Sequence, residues 1–311
     1  MNVFLWHVHG SWTTALVQGT HTYYFPVVPD RGPDGRGRAQ TWDWPQNAVE
    51  VDEGTARGLD IDVVLLQRPV ELETLAGRWL GRTVGVDVPA VYVEHNAPQG
   101  RVNEMHHPVR DRTGMTLVHV THFNALFWEA GSTPTRVIEH GIVDPGYRYR
   151  GTLRRTAAVI NEATRRGRVT GTDLLGTFAM CAPLDVFGMD ASRLGGVENL
   201  RQDELYAALS ERRVYLHPYR WTSLGLSLVE AMHLGMPIVA LATTEAPDAI
   251  PRDAGACSNR LDVLTEALRH FHDDRAAAKR AGECAREHAR SRYSLERFLS
   301  AWDGLLTEVA A

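Results

Sequence analysis

What the chain is short of narrows its reading first. Its 311 residues hold three cysteines, Cys181, Cys257 and Cys284, scattered and odd in number. That argues against a disulfide framework or a thiolate metal centre and fits a reducing compartment. Long apolar runs are missing too. The opening MNVFLWHVHGSW has no basic leader, and its apolar stretch is shorter than a signal peptide or a membrane span needs. Nor is there a surplus of positive charge: Lys and Arg number 33 against 38 Asp and Glu, a formal net charge of −5. That balance gives no global pull toward nucleic acid or anionic lipid. The expectation is a cytoplasmic protein with no nucleic-acid partner and no integral membrane segment. A substrate at a membrane surface stays open.

What is present is ordinary globular material, 44% hydrophobic and 23% charged. It suffices for two cores of the usual size, roughly 100–200 residues each. Short apolar runs alternate with helix-periodic segments, the pattern of a parallel sheet covered on both faces. In the first half the expected strands are Asn2–His9, Ile61–Gln67, Ala90–His95 and Met115–Thr121, with a helix over Glu71–Leu80 and a surface loop over Arg31–Arg38. A short strand near Arg136–Ile142 runs into Gly141, followed by Asp144, Pro145 and Gly146, the best domain boundary in the chain. The alternation then restarts with strands at Ala157–Asn161, Leu184–Gly188, Val214–His217 and Ile238–Leu241. Between them fall helices from about Gly171, over Asp203–Ser210 and over Leu224–Leu234, and the chain from Asp262 is largely helical. The fold class is therefore α/β, with Rossmann-like domains over residues 1–143 and 144–292 and a C-terminal helix over 293–311. In doubly wound sheets, ligands lie beyond the carboxyl ends of the strands, so the loops after strands are where chemistry is expected.

The most informative stretch is HPYRWTSLGLSLVEAMHLGMP, His217 to Pro237. A strand enters a loop, Ser223 is a suitable N-cap, and Gly235 and Pro237 stop the helix. The turn Leu224-Gly225-Leu226 leaves backbone N–H groups at the positive end of the helix dipole, where a phosphate binds without a special side chain. Gly225 allows close approach. Glu230 is out of place in an apolar helix unless it accepts hydrogen bonds, and the two hydroxyls of a ribose suit it.

At this point the chain resembles a family, the retaining GT-B glycosyltransferases of group 1, also called family 4. Their hallmark is a Glu followed after seven residues by a second Glu, in a strand–loop–helix of this shape. Similar pieces are Glu139-His140-Gly141-Ile142, Thr170-Gly171-Thr172-Asp173-Leu174-Leu175, and the closing Tyr293-Ser294-Leu295 with Trp302. The resemblance implies two doubly wound domains facing across a cleft, with the C-terminal helix packing back toward the first. It further implies a nucleotide-sugar donor on the second domain and an unspecified acceptor on the first. The second Glu is Glu230, while the first falls on Thr222, which can hydrogen-bond to the transferred sugar but carries no charge. The family's diphosphate-binding Lys falls on Thr170. Arg165, Arg166 and Arg168 lie in the same loop and are candidate substitutes, since Arg pairs with phosphate in a fork geometry.

In the first half, Gly10 in His9-Gly10-Ser11-Trp12 matches in position the family's glycine loop near the donor phosphate. The strand at Val91–Pro98 delivers His95, which by resemblance contacts the donor sugar, with Glu94 or Asn96 as alternatives. Thr121 to Asn124 and Trp128 are candidate acceptor-pocket residues. The pairs His7/His9 and His106/His107 lack a third ligand spacing, so neither a metal nor a cofactor is expected. The implied reaction is hexosyl transfer with retention. His95 and Thr222 stand as catalytic candidates; Glu230, Leu224, Gly225, Leu226, Arg165, Arg168 and Gly10 stand as donor-binding candidates. The alternative, motivated by Thr222 and Thr170, is a catalytically impaired homologue that binds nucleotide sugars or acts as a partner subunit.

Overall fold

The computed structural model describes residues 1–311. They form two compact units, Met1–Val143 with Leu295–Ala311, and Asp144–Ser294.

The first unit contains β1 (Asn2–Leu5), α1 (Gly10–Leu16), β2 (Thr22–Pro26), β3 (Ala48–Val51), α2 (Glu53–Ala56) and β4 (Val63–Leu66). It continues through a π turn (Glu71–Leu75) into α3 (Ala76–Leu80), then β5 (Ala90–Glu94), β6 (Met115–His119), α4 (His122–Phe127) and β7 (Thr135–Val137). All seven strands run parallel in the order β3-β2-β1-β4-β5-β6-β7. β4 and β5 are buried along their whole length, as central strands covered on both faces must be. On one face Phe4, Val64, Leu66, Tyr92 and Leu117 pack with Trp79 into a single core.

The C-terminal helix Leu295–Ala310 belongs to this unit. Its stripe of Phe298, Trp302, Leu305 and Leu306 is buried. Trp302 stands edge-on to Trp12 with ring centroids 5.5 Å apart, an arrangement that adds quadrupole attraction to area burial. Phe298 takes the place of a side chain at Gly141, where a Cβ would lie 2.2 Å from the Phe298 Cβ.

The second unit contains β8 (Leu153–Val159), α5 (Ala163–Arg166), α6 (Leu175–Ala179), β9 (Leu184–Phe187), α7 (Gln202–Glu211) and β10 (Arg212–His217). There follow α8 (Leu226–Leu234), β11 (Ile238–Leu241), α9 (Ala246–Ala249), β12 (Gly255–Ser258), α10 (Leu261–Asp273) and α11 (Arg275–Arg292). Five parallel strands run in the order β12-β11-β10-β8-β9. The chain winds outward to β9 and then crosses back to β10, so the topological switch lies between β8 and β10. In the first sheet it lies between β1 and β4. Such points open a crevice at the strand carboxyl ends.

Several boundaries differ from the sequence expectation. The first strand stops at Leu5 rather than His9, so His7 and His9 lie in the loop beyond it. β2, β3 and β12 were not anticipated, although Tyr23, Tyr24 and Phe25 carry strand propensity. The helix expected from Gly171 is broken into 3-10 turns and the short α6. The helix after β10 begins at Leu226, and its cap is Gly225 rather than Ser223.

Truncating Trp302 to Ala removes the aromatic contact that ties the C-terminal helix to α1. The expected loss is about 3–5 kcal/mol of unfolding free energy, read by urea titration. A loss below 1 kcal/mol means the helix is not part of this core.

Candidate functional site

The loops after β8 and β10 meet at the switch point of the five-stranded sheet. Gly171, with φ +72°, lies against the Pro218 carbonyl so closely that a Cβ would stand 1.9 Å from that oxygen. The N–H groups of Arg220 and Trp221 both donate to the Val169 carbonyl, at 2.9 and 3.2 Å. Arg220 also donates to the Asp173 carboxylate and to the Arg168 carbonyl. Glycine at 171 follows from both the positive φ and the close approach.

Gly225 is set by the ring beneath it. A Cβ there would meet His217 Cε1 at 2.6 Å, and His217 in turn stacks on Tyr219 at 4.5 Å. From Gly225 the chain turns into α8, whose opening residues Leu226 and Ser227 precede any possible i−4 partner in the helix. Leu224 is buried beside it, while Leu226 is partly exposed. The Thr222 hydroxyl oxygen is buried and has no hydrogen-bond partner.

The arginines divide in a way the sequence did not show. Arg165 makes a double contact with Glu162, and Arg168 reaches Asp173 at 3.2 Å, so both expected phosphate ligands already have carboxylate partners. Arg166 has a different surrounding, its guanidinium 5.9 Å from the centre of the Tyr219 ring. Thr170 is fully buried, bonding the Gly167 carbonyl at 3.1 Å and Thr172 at 3.0 Å, so it braces the loop from within. Glu230 is 4% exposed. Burial, reinforced by the nearby Glu230 charge, pushes the Tyr206 phenol on α7 well above its usual range.

In the first unit three imidazoles gather beyond the strand ends. The rings of His9 and His95 lie 4.0 Å apart, Trp12 stands edge-on to His95 at 5.0 Å, and His140 is the third member. His95 Nε2 and His140 Nδ1 are buried without partners. Burial, reinforced by the neighbouring rings, pushes the His95 pKa well below the usual imidazole range and that of His140 down to about 3. Gly10 begins α1 next to His9; a Cβ there would touch the Trp42 indole nitrogen at 3.3 Å.

The other candidates are already engaged. Glu94 accepts from the Asn96 N–H and pairs with His107 at 3.1 Å, and the Asn96 carbonyl takes the Trp128 indole N–H. Thr121 caps α4, and Asn124 donates to the Glu94 carbonyl. No three His, Cys, Asp or Glu side chains are grouped to hold one metal ion. No helix is long and apolar enough to cross a membrane.

Comparison with known proteins bears on the family and the fold. Residues 196–288 match the family described as glycosyl transferases group 1. The chain is also similar to the sulfoquinovosyl transferase SQD2 of Arabidopsis thaliana, 36% identical over 94 residues, which cover 28% of this chain and 18% of that one. Among solved structures, sucrose-phosphate synthase from Thermosynechococcus elongatus aligns at TM-score 0.74 and 11% identity, over 99% of this chain and 98% of the other. Anabaena HepE, solved with UDP and glucose, aligns at TM-score 0.70 and 11% identity, over 99% and 100%. TarM of S. aureus, solved with UDP, aligns at 0.60 and 13%, over 78% of this chain and 55% of its own. The chain thus spans about a fifth of the curated relative it matches and about half of TarM. The chain has the GT-B fold of these structures, and its match to the group 1 glycosyl transferases is confined to residues 196–288.

The buried histidines make stability depend on pH. Burial lowers His119 to about 4 and His140 and His217 to about 3. The unfolded chain takes up these protons below about pH 6.5 while the folded chain does not, so stability is complete above that value and falls as the pH drops toward 4. Each imidazole is expected to cost about 1–2 kcal/mol at pH 5 relative to pH 7.5. Urea unfolding at the two pH values measures it; equal midpoints would mean the rings are solvated.

Proposed function

We propose that this protein transfers a hexose from a nucleoside diphosphate sugar to an acceptor hydroxyl, with retention of anomeric configuration. The observation that carries this is the start of α8 at the sheet's switch point, capped by a glycine and flanked by the unpartnered hydroxyl of Thr222. Bare N–H groups at the positive end of a helix favour a diphosphate. They also stabilise the charge that develops as the glycosidic oxygen departs. Of the three loop arginines, Arg166 is the one we assign to the phosphates, because Arg165 and Arg168 are matched by acids. Helix end and guanidinium together supply the countercharge without a divalent metal.

Glu230 receives the ribose hydroxyls, and Thr222 hydrogen-bonds to the transferred sugar in place of a carboxylate. In the first unit, His95 offers a neutral ring with an unpartnered nitrogen for a substrate hydroxyl. The leaving phosphate accepts the acceptor's proton on the face it vacates, so no protein nucleophile is required. UDP in the solved complexes of HepE and TarM supports a nucleotide-sugar donor.

Replacing Glu230 by Ala is expected to weaken binding of the cognate nucleoside diphosphate by about 1.5–3 kcal/mol, measured by titration calorimetry with UDP and GDP. Unchanged affinity removes Glu230 from the site. Thr222→Glu restores a charged group facing the sugar and is expected to raise turnover of the cognate nucleotide sugar. If turnover falls while nucleotide affinity holds, Thr222 is already matched to this donor. Binding without turnover over a broad acceptor panel identifies a binding subunit.

A further inference from the structure

At the switch point of the first sheet, between β1 and β4, two side chains are left with polar atoms unmatched. Gln67 directly follows β4 and is 3% exposed. Its amide nitrogen donates to the Trp6 carbonyl just beyond β1 at 2.8 Å, so the side chain lies across the carboxyl ends of both strands. Its amide oxygen is buried and has no hydrogen-bond partner. The next residue, Arg68, donates from Nε to Glu71 at 2.6 Å, yet its Nη2 is buried and unpartnered as well. Glu71 has a structural role. It accepts the Gln67 and Arg68 N–H groups at 2.6 and 3.2 Å and so caps the helical segment that follows. The two leftover atoms have none. Native interiors leave few such groups unmatched, because each costs about 1–3 kcal/mol. Here an orphaned acceptor and an orphaned donor sit on adjacent residues, at the place where a doubly wound sheet opens a crevice.

These groups select a chemistry. Gln67 Oε1 only accepts, and Arg68 Nη2 only donates. A ligand group that meets both gives one hydrogen bond and receives another, as a hydroxyl does; a phosphate or carboxylate oxygen has nothing to give the amide. Charge points the same way. Arg68 is balanced by Glu71, and the Gln67 amide is neutral. Asp34, whose carbonyl takes the Trp6 indole N–H, and Arg36 beside His7 contribute one charge of each sign. Burial holds His7 itself neutral, with its pKa lowered to about 4. No net positive charge is left for an anion. Beyond β1 the lining is aromatic: half-buried Trp42 and the His7 ring both border Gly10. A few polar atoms beside aromatic surface suit the hydroxyls and C–H faces of a sugar ring.

This rests on the transferase reading above, with the acceptor held by the first unit. We propose that Gln67 and Arg68 bind a hydroxyl of that acceptor, and that the acceptor is a neutral sugar or polyol, not a phosphorylated or acidic one.

Saturation-transfer NMR on the full chain with UDP present tests this, using glucose, galactose, mannose and myo-inositol beside glucose 6-phosphate, glucuronate and inositol 1-phosphate. Calorimetry with UDP and GDP on the same samples reads the donor site separately. Wild type is expected to bind at least one neutral compound, and to bind its acidic counterpart about tenfold more weakly, since a charge would be seated without a partner. Gln67→Leu and Arg68→Lys are each expected to weaken the neutral ligand about three- to tenfold, the size of one hydrogen bond, with nucleotide affinity unchanged. Arg68→Lys keeps a cation beside Glu71 and keeps the test decisive if Gln67→Leu fails to fold. Tighter binding of an acidic compound overturns the proposal. Variants with a lower melting temperature but wild-type sugar affinity overturn it too, because the two atoms then serve the fold alone. Wild type that binds no nucleotide overturns the donor-site reading, whereas wild type that binds nucleotide and no neutral compound overturns this inference alone.

Discussion

The contact on which the candidate site rests is the meeting of Gly171 with the Pro218 carbonyl. Only a residue without a Cβ permits it, and it draws the loop after β8 onto the loop after β10. The backbone bonds from Arg220 and Trp221 to Val169 then lock the two loops as one surface. Everything assigned to the donor side follows from that surface. It brings Arg166 over Tyr219 and sets the entry to α8. A side chain at 171 would push the two loops apart and separate the cation from the helix end, even with every polar residue intact.

Much of the architecture was legible in the chain because parallel strands buried on both faces read as uninterrupted apolar runs. Val63–Leu66 and Ile238–Leu241 are such runs. β2 and β3 escaped for a physical reason: their pairing depends on a long loop whose conformation is set by Arg38 reaching backbone carbonyls. The start of α8 was misplaced because Ser and Gly both cap helices well. Local preference favoured Ser223, and the ring of His217 under residue 225 decided otherwise. The arginine pairings were hidden likewise, since Glu162 and Asp173 become partners only once the loop has its three-dimensional shape. Tyr206 gave no signal at all, because its place beside Glu230 depends on α7 lying against α8.

Charge in this chain is also carried in an unusual form. Lys279 is its one lysine, and it sits on α11 near Glu283. With Thr170 turned inward, the cationic side chains of the loop after β8 are all guanidinium groups, Arg165, Arg166 and Arg168. Unlike an ammonium, that group is planar and stays protonated at every working pH. The cations of that loop therefore keep their charge over the pH range in which the buried imidazoles respond.

The burial of Phe298 and Trp302 against Trp12 has a consequence for how the molecule comes into being. The second unit is one uninterrupted stretch and can complete its core as soon as that stretch has left the ribosome. The first unit begins earlier but cannot finish, because its final wall is made by a helix synthesised after the whole of the second unit. Of the two units, the one started first is thus closed second, with its tryptophan-lined face waiting for a helix that lies beyond the other unit in the chain.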